Sequence, residues 1–543
     1  MRRLNISPPF ARVSPIAAAI ITATVSSGAI ANNTIDLPAD ATLDWKATTT
    51  YSLSARTQSR DSRLRGPGNE GNENFASGDL TANRASLLLE THTRRDNLGL
   101  VVSASTFYDD VYRRSTSSES ELTNYDTPPG EFTPEARRYH GGFSRFLDFY
   151  GYTDFELGNN AFLNLRAGRH VVAWGEALFM PSLSMAQGPA DGTRVGVPGT
   201  EVKDQLLPED QISFQLQAGN NWSFLGHWQY DWHETQVPEP GSYLSTSSAV
   251  GRGAQCLGPV INGACTFAPR GSDIEPGNKQ GQWGIGSRYR LGMNTELGLY
   301  YLNYHNRIPL TEINPLANNG QGEYNIRYFD DIELYGATFT TSRGNVSYAG
   351  EVTYKKGAPT LVSTQIMDQQ GNFNTIPSPT RADIMQTNLN AFYNVGRTSF
   401  ADSVTLIGEL SYVDIMDVES RRLPGTDDLP EAFAPETDEL FFTGHGFAFQ
   451  GSAILDYPGF TESWDLGIPI SYSRQLSGRT LTGGVGGEGD HRLSVGANFI
   501  HRSGLEVGVS YLTYLGGVEV DNPVKERRLA DRDYASLVIR KAW

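Results

Sequence analysis

The sequence predicts an all-β fold: a transmembrane antiparallel up-and-down β-barrel of about 18 strands (16–18), with a constriction loop inserted after the fifth strand. Three observations predict it. Segments of ten or so residues alternate apolar and polar along most of the chain, which is the period of a strand with two unlike faces. The connections between them alternate between short turns and long polar segments, as in barrels whose turns are short on one side of a membrane. The last alternating segment closes on an aromatic residue, Trp543.

The first clear segment sets Trp45, Ala47, Thr49, Tyr51, Leu53 and Ala55 against Lys46, Thr48, Thr50, Ser52, Ser54 and Arg56. A second sets Trp222, Phe224, Gly226, Trp228, Tyr230 and Trp232 against Ser223, Leu225, His227, Gln229, Asp231 and His233. Strands are expected near 45–56, 84–93, 98–110, 146–157, 161–170, 211–218, 222–234, 281–290 and 294–305. The others are expected near 326–341, 344–356, 382–394, 401–413, 444–455, 462–474, 490–500, 504–515 and 532–543. Long connections fall at 57–83, 111–145, 171–210, 235–280, 306–325, 357–381, 414–443, 475–489 and 516–531, with short turns between them. Trp222 and Trp232 share a face and lie ~33 Å apart along a strand, or roughly 25 Å of depth at a tilt near 40°, the spacing of two aromatic girdles. In the last strand Ala535, Leu537, Ile539 and Trp543 share a face that Lys541 interrupts.

Residues 1–31 read as a secretory signal. Arg2 and Arg3 precede the apolar run Ile16 to Val25, and Ala29-Ile30-Ala31 fits a small-x-small cleavage site. The barrel is then expected over 32–543. A mean hydropathy of −0.38 agrees with strands in which only every second residue meets lipid. Without Arg2, Arg3 and Arg12 the chain carries 41 basic residues against 61 acidic ones, a net charge of −20. That balance excludes nucleic acid and an anionic membrane face as partners. Acidic outer loops bridged to lipopolysaccharide by divalent cations tolerate it, as does a merely solvated acidic surface. Cys256 and Cys265 sit in one polar, Gly-rich connection and are expected to form a structural disulfide.

No catalytic motif is present: there is no G-x-S-x-G, H-E-x-x-H or P-loop, so no enzyme, cofactor or metal is expected. The inward-facing positions carry charges of both signs: Arg84, Glu90, His92, Arg166, Asp231, Arg288, Arg290, Glu351 and Lys355. Buried charges must be paired or hydrated, so the interior is wet or filled by a polar plug. About 18 strands is the size at which porins leave an aqueous channel.

The connection 171–210 is unlike an outer loop. It carries Trp174, Leu178, Phe179, Met180, Pro181, Leu183 and Met185, then Gly188-Pro189 and Val197-Pro198-Gly199. Such a cluster is not left in water, so the segment folds inward to constrict the pore, or else packs as a lid on the rim. The candidate constriction residues are Arg166, His170, Trp174, Glu176, Phe179, Met180, Asp191, Lys203 and Asp204.

The same segment carries a family resemblance. Arg166-Ala167-Gly168-Arg169-His170-Val171-Val172-Ala173-Trp174-Gly175-Glu176 resembles the R-x-G-R-Q-x-x-x-W-G-E signature of the proteobacterial outer-membrane family called domain of unknown function 1302. Pro189-Ala190-Asp191, Pro198-Gly199-Thr200-Glu201-Val202-Lys203-Asp204 and Leu206-Leu207-Pro208 continue it. The departures are His170 for Gln, Gly188 where Asn commonly precedes Pro, and Asp204 for Glu. The resemblance implies an outer-membrane barrel inserted by the barrel-assembly machinery. It further implies a periplasmic lipoprotein-sorting-like partner and an inner-membrane exporter, and movement of an apolar or amphipathic molecule. Two other functions stay open on the residues alone: a diffusive porin for small polar or anionic solutes, and a non-transport adhesin or scaffold.

Overall fold

The computed structural model describes residues 33–158 and 160–543, and the expected signal segment, 1–31, lies outside them. The alternating segments form a ring of 18 strands. The first six are β1 (Ala41–Arg56), β2 (Leu80–Arg95), β3 (Leu98–Asp109), β4 (Ser144–Gly158), β5 (Ala161–His170) and β6 (Glu209–Ala218). The next six are β7 (Trp222–Gln229), β8 (Trp283–Leu291), β9 (Thr295–Tyr304), β10 (Ile332–Arg343), β11 (Val346–Met367) and β12 (Phe373–Gly396). The ring ends with β13 (Ser403–Val418), β14 (His445–Tyr457), β15 (Trp464–Gly478), β16 (His491–His501), β17 (Leu505–Tyr514) and β18 (Tyr534–Ala542). Each strand pairs antiparallel with the next, and β18 returns to β1 in the register Arg56↔Tyr534 to Thr48↔Ala542. Closure leaves no barrel strand with an unpaired edge, which is what lets a sheet stand in hydrocarbon. A short strand, Asn33–Leu37, pairs with the start of β1 beyond the end of β18.

Alternation sorts the side chains. The outer face carries Leu89, Ile285, Leu299, Val352, Leu389 and Tyr511, all exposed, with Leu299 at 67%. The inner face of β11–β13 carries Glu351, Thr353, Gln386, Asn388 and Glu409, each at 1% or less. An exposed apolar exterior over a buried polar interior inverts a soluble protein. It is the signature of a barrel that meets lipid outside and fills its centre with polar groups.

The structure departs from the sequence expectation in three places. The expected loop 357–381 is strand: β11 and β12 run on as a hairpin from Ala358↔Ala382 to Met367↔Phe373, after a register shift at Lys355. At 22 and 24 residues these strands exceed the ~9–11 needed to cross a bilayer, so the hairpin stands clear of it. β10 begins at Ile332 because Glu323–Arg327 pairs instead with Leu310–Asn314 as a separate hairpin. β7 stops at Gln229, and Trp232 turns into an outer cluster with Ala268, Tyr324, Ile326 and Tyr328. Trp232 therefore does not belong to a lipid-facing girdle, and Asp231 and His233 lie beyond the barrel wall. The outward aromatics at that level are Trp228 and Tyr230.

The long connections pack on one another. Phe75, Tyr112, Phe132 and Tyr243 form an aromatic core above the rim, closed by Tyr534. Cys256 and Cys265 are disulfide-bonded within this outer layer.

Candidate functional site: the segment crossing the barrel

The chain leaves β5 at His170, whose ring is buried between Tyr150 (centroids 5.2 Å apart) and the Ser213 hydroxyl (Nε2 to Oγ 2.7 Å). From there, residues 171–208 make a series of contacts with inward-facing residues of the wall. Trp174 is anchored first. Its backbone N–H donates to Gln187 Oε1 (2.5 Å), and its ring packs against His227 (4.9 Å) and Tyr300 (5.7 Å). Leu183, Leu225, Leu302 and Leu334 complete this cluster. Here the inner wall of β7–β10 is apolar, which is why the aromatic residue of the W-G-E signature seats there.

Gly175 follows with φ +107, and a Cβ on it would collide with the Glu351 carboxylate, so the signature glycine allows the backbone to approach that wall. The segment then meets β11–β13, on nearly the opposite side of the ring from β5. Glu351 accepts the backbone N–H groups of Glu176 and Leu183, both at 2.9 Å. Glu409 accepts three in succession, from Leu178 (2.5 Å), Phe179 (3.0 Å) and Met180 (2.7 Å). Gln386 and Asn388 donate to the Met180 carbonyl at 3.0 Å each, and Asn390 donates to that of Glu176 at 2.6 Å. The backbone polar groups of an irregular segment at this depth have no water to turn to on that side. A row of carboxylates and amides on alternate strand positions satisfies them.

The return path is held by ion pairs on the other side. Asp191 is fully buried and meets Arg145 (2.6 Å) and Arg194 (3.2 Å). Arg194 and Arg84 lie over the Phe107 ring from two sides, at 3.8 and 4.1 Å. Arg145 also donates to the Asp204 carbonyl (2.6 Å), and Lys203 bridges Glu90 (2.8 Å) and Asp148 (2.9 Å). Gly199 (φ +76) passes so close to Thr50 and Ser52 that a Cβ would strike them. Arg540 on β18 lies 3.5 Å from Glu201. Above this level His140, in the outer connection between β3 and β4, is buried, and its Nε2 accepts the Glu239 N–H (3.1 Å). Burial, helped by the Arg194 charge, holds its imidazole down to about 3.

Of the residues singled out by sequence, Trp174, Glu176, Phe179, Met180, Asp191, Lys203 and Asp204 all lie in this one segment. Arg166 stays on the wall, bonded to Asn164 Oδ1 (3.1 Å) and 5.8 Å from the Tyr150 ring centroid. Arg288 faces inward and bonds the Tyr300 hydroxyl (2.9 Å), and Arg290 lies opposite Glu296. Sequence reasoning missed Glu409, Gln386, Asn388, Asn390, Arg145 and Arg194. Gln386, Asn388 and Asn390 at alternate positions of one strand were the readable trace of a wall built to bind backbone.

Fold and site together define a closed antiparallel β-barrel of 18 strands whose fifth connection is bonded to inward-facing residues of the wall. The chain belongs to the family described as a protein of unknown function, DUF1302, whose model matches residues 11–542. Among curated proteins no sequence matches it. Similar solved structures include OccAB3 of Acinetobacter baumannii, at 9% identity and a TM-score of 0.44, covering 92% of this chain and 99% of that one. OpdK of Pseudomonas aeruginosa, solved with vanillate, is similar at 11% identity and a TM-score of 0.44, covering 92% of this chain and 98% of that one.

Proposed function

We propose that the protein is an outer-membrane channel that moves hydrophobic or amphipathic small molecules, with residues 171–208 as its constriction. The observation that carries this reading is the segment's double anchorage. Its tip is held by Glu351 and Glu409, and its return by Asp191 and Lys203, so it narrows the ring without being part of it. An 18-strand barrel without such a segment would be a wide aqueous hole. The apolar exterior supports residence in a bilayer, and a closed antiparallel barrel with long connections on one side is the form taken in bacterial outer membranes. The hydrophobic or amphipathic substrate is supported by the apolar side chains the segment still leaves accessible, among them Leu178, Phe179, Val195 and Val202.

A second reading, a diffusive porin for polar solutes, is favoured by paired charges on parts of the inner wall, Glu90 and Asp148 with Lys203 and Arg288 with Glu296. Solute flux into liposomes separates the two. Deletion of 176–186 is expected to raise conductance and to abolish any preference for amphipathic over purely polar solutes of equal size. A preference for polar solutes in the intact protein overturns the amphipathic reading. Unchanged conductance on deletion overturns the constriction.

A further inference from the structure

We infer that solute crosses along one arc of the wall, β14–β17, and that this arc selects uncharged amphipathic solutes over ions. The inference rests on the channel reading above and adds where the path runs and what it admits.

The crossing segment reaches the wall on both flanks of that arc. On one flank its tip is bonded to Glu409 on β13. On the other, Arg540 on β18 faces Glu201, and Gly199 lies against Val538 and β1. Between these flanks, among the described residues, no hydrogen bond or ion pair joins the segment to β14–β17. Burial follows the same division. On β11–β13 the mid-strand inner face is sealed, with Glu351, Thr353, Asn388, Glu409 and Ser411 at 1% or less. On the arc the corresponding residues, Gln450, Ser452, Ser471, Ser473, Ser494 and Ser510, all keep accessible surface. Register fixes them as inward: Glu409 pairs with Gln450, Gln450 with Ser473, and Ser452 with Ser471, which in turn pairs with Ser494. The outward neighbours Val495, Val509 and Tyr511 are exposed and apolar or aromatic, as the lipid face requires.

The arc's chemistry is narrow. Its mid-wall carries serines, Gln450, Asn498 and glycines, with Ile454 and Leu512 among them, and no charge between the levels of Arg492 and Asp456. Charges stand toward its two ends, where Arg492 pairs with Asp490 (2.9 Å), Asp456 lies in register with Gly467, and Glu506 pairs with Arg540 (3.5 Å). Ser452 and Ser471 share one hydrogen bond (2.8 Å), as do Ser510 and Ser536 (2.7 Å). Each hydroxyl pair keeps one further donor and spare lone pairs for a solute or water. The segment that bounds the remaining space keeps apolar side chains accessible, among them Phe179 and Val202. The arc therefore offers hydrogen bonds, and the segment's accessible side chains offer apolar contact. A molecule with polar groups along one edge exchanges its water for both. An ion gives up hydration and finds no counter-charge in the middle of the path.

The two native cysteines are bonded to each other, so a single introduced cysteine supplies a free thiol. Ser471→Cys and Ser494→Cys are compared with Ser411→Cys on the sealed wall, in the full-length protein reconstituted in planar bilayers. Labelling uses a neutral methanethiosulfonate and its sulfonate-bearing analogue, each normalised to its rate with a free thiol in solution. The arc variants are expected to react about tenfold faster with the neutral reagent, the ratio set by ~1.4 kcal/mol, and to lose over half their conductance with a bulky label. Ser411→Cys is expected to react slowly and to keep its conductance. In a KCl gradient the reversal potential is expected near zero. Labelling of the arc without loss of conductance, equal labelling of Ser411→Cys, or strong anion or cation selectivity overturns the inference while leaving a channel. A wild-type protein that passes neither current nor solute overturns the channel reading itself.

Discussion

Glu409 is where the constriction is most exposed to test. Its two carboxylate oxygens accept three consecutive backbone N–H groups of the crossing segment, at 2.5, 3.0 and 2.7 Å. Hydrogen bonds to a charged acceptor contribute ~1.5–3 kcal/mol each. With overlap among three bonds to one group, Glu409→Ala is expected to cost about 3 kcal/mol of docking, or roughly two decades in the docked-to-released ratio. Glu409→Gln keeps one acceptor oxygen but turns an amide N–H₂ toward another donor, so it is expected to fall between wild type and Ala. Release is confined to the tip, because the Asp191–Arg145 and Lys203–Asp148 pairs are untouched. Single-channel recording reads it as larger, noisier openings, and limited proteolysis of the folded protein in detergent reads it as new cleavage within 176–186. The reasoning is refuted if Glu409→Ala leaves both conductance and cleavage at wild-type levels, or if Gln is worse than Ala.

Three further outcomes are expected. Trp174→Ala removes a ring packed on His227 and Tyr300, a change of ~3–5 kcal/mol for a buried aromatic, and is expected to loosen the segment while the barrel keeps its heat-modifiable mobility on gels. Leu299→Arg puts a charge on the lipid face and is expected to lower the stability of the barrel in liposomes by ~2–4 kcal/mol, against little change for a serine on the inner arc. His140, held neutral down to about 3, has a folded-state pKa below its unfolded value of about 6.5. Its contribution is therefore present above pH ~6.5 and is lost as pH falls toward 3, with an upper bound of roughly 5 kcal/mol. Hydrogen exchange in the connection 110–143 is expected to rise over that window in wild type, and His140→Gln is expected to flatten the dependence.

The ring itself was legible because a lipid-facing strand writes its environment into every second residue. Val495, Val509 and Tyr511 cannot be exchanged for charges, so the alternation survives in the sequence. The hairpin of β11 and β12 escaped for a related reason. Thr360, Val362, Thr364 and Ile366 alternate as a strand does, but Pro359, Pro377 and Pro379 are turn signals, and a hairpin beyond the membrane is under no lipid constraint. Trp232 misled in the opposite direction, since an aromatic in phase with a strand reads as a girdle whether the strand continues or bends into an outer cluster.

The interior was less legible, and the difference is one of partners. An inward polar residue looks the same in sequence whether it faces water, an ion or a folded-back segment. Glu351 and Glu409 are both isolated acids on polar strand faces, and nothing near either in sequence marks them as acceptors for backbone some 170 to 230 residues upstream. Lys203 was visible as a charged residue in an apolar segment, but its partners Glu90 and Asp148 come from two other strands. What the sequence does carry is a contrast that acquires meaning once the ring is closed. The carboxylates and amides on β11–β13 saturate a segment's backbone, while the serines on β14–β17 have no backbone to saturate. A wall that both anchors and conducts must separate those tasks around its circumference, and here the separation falls between Glu409 and Gln450, paired residues on adjacent strands.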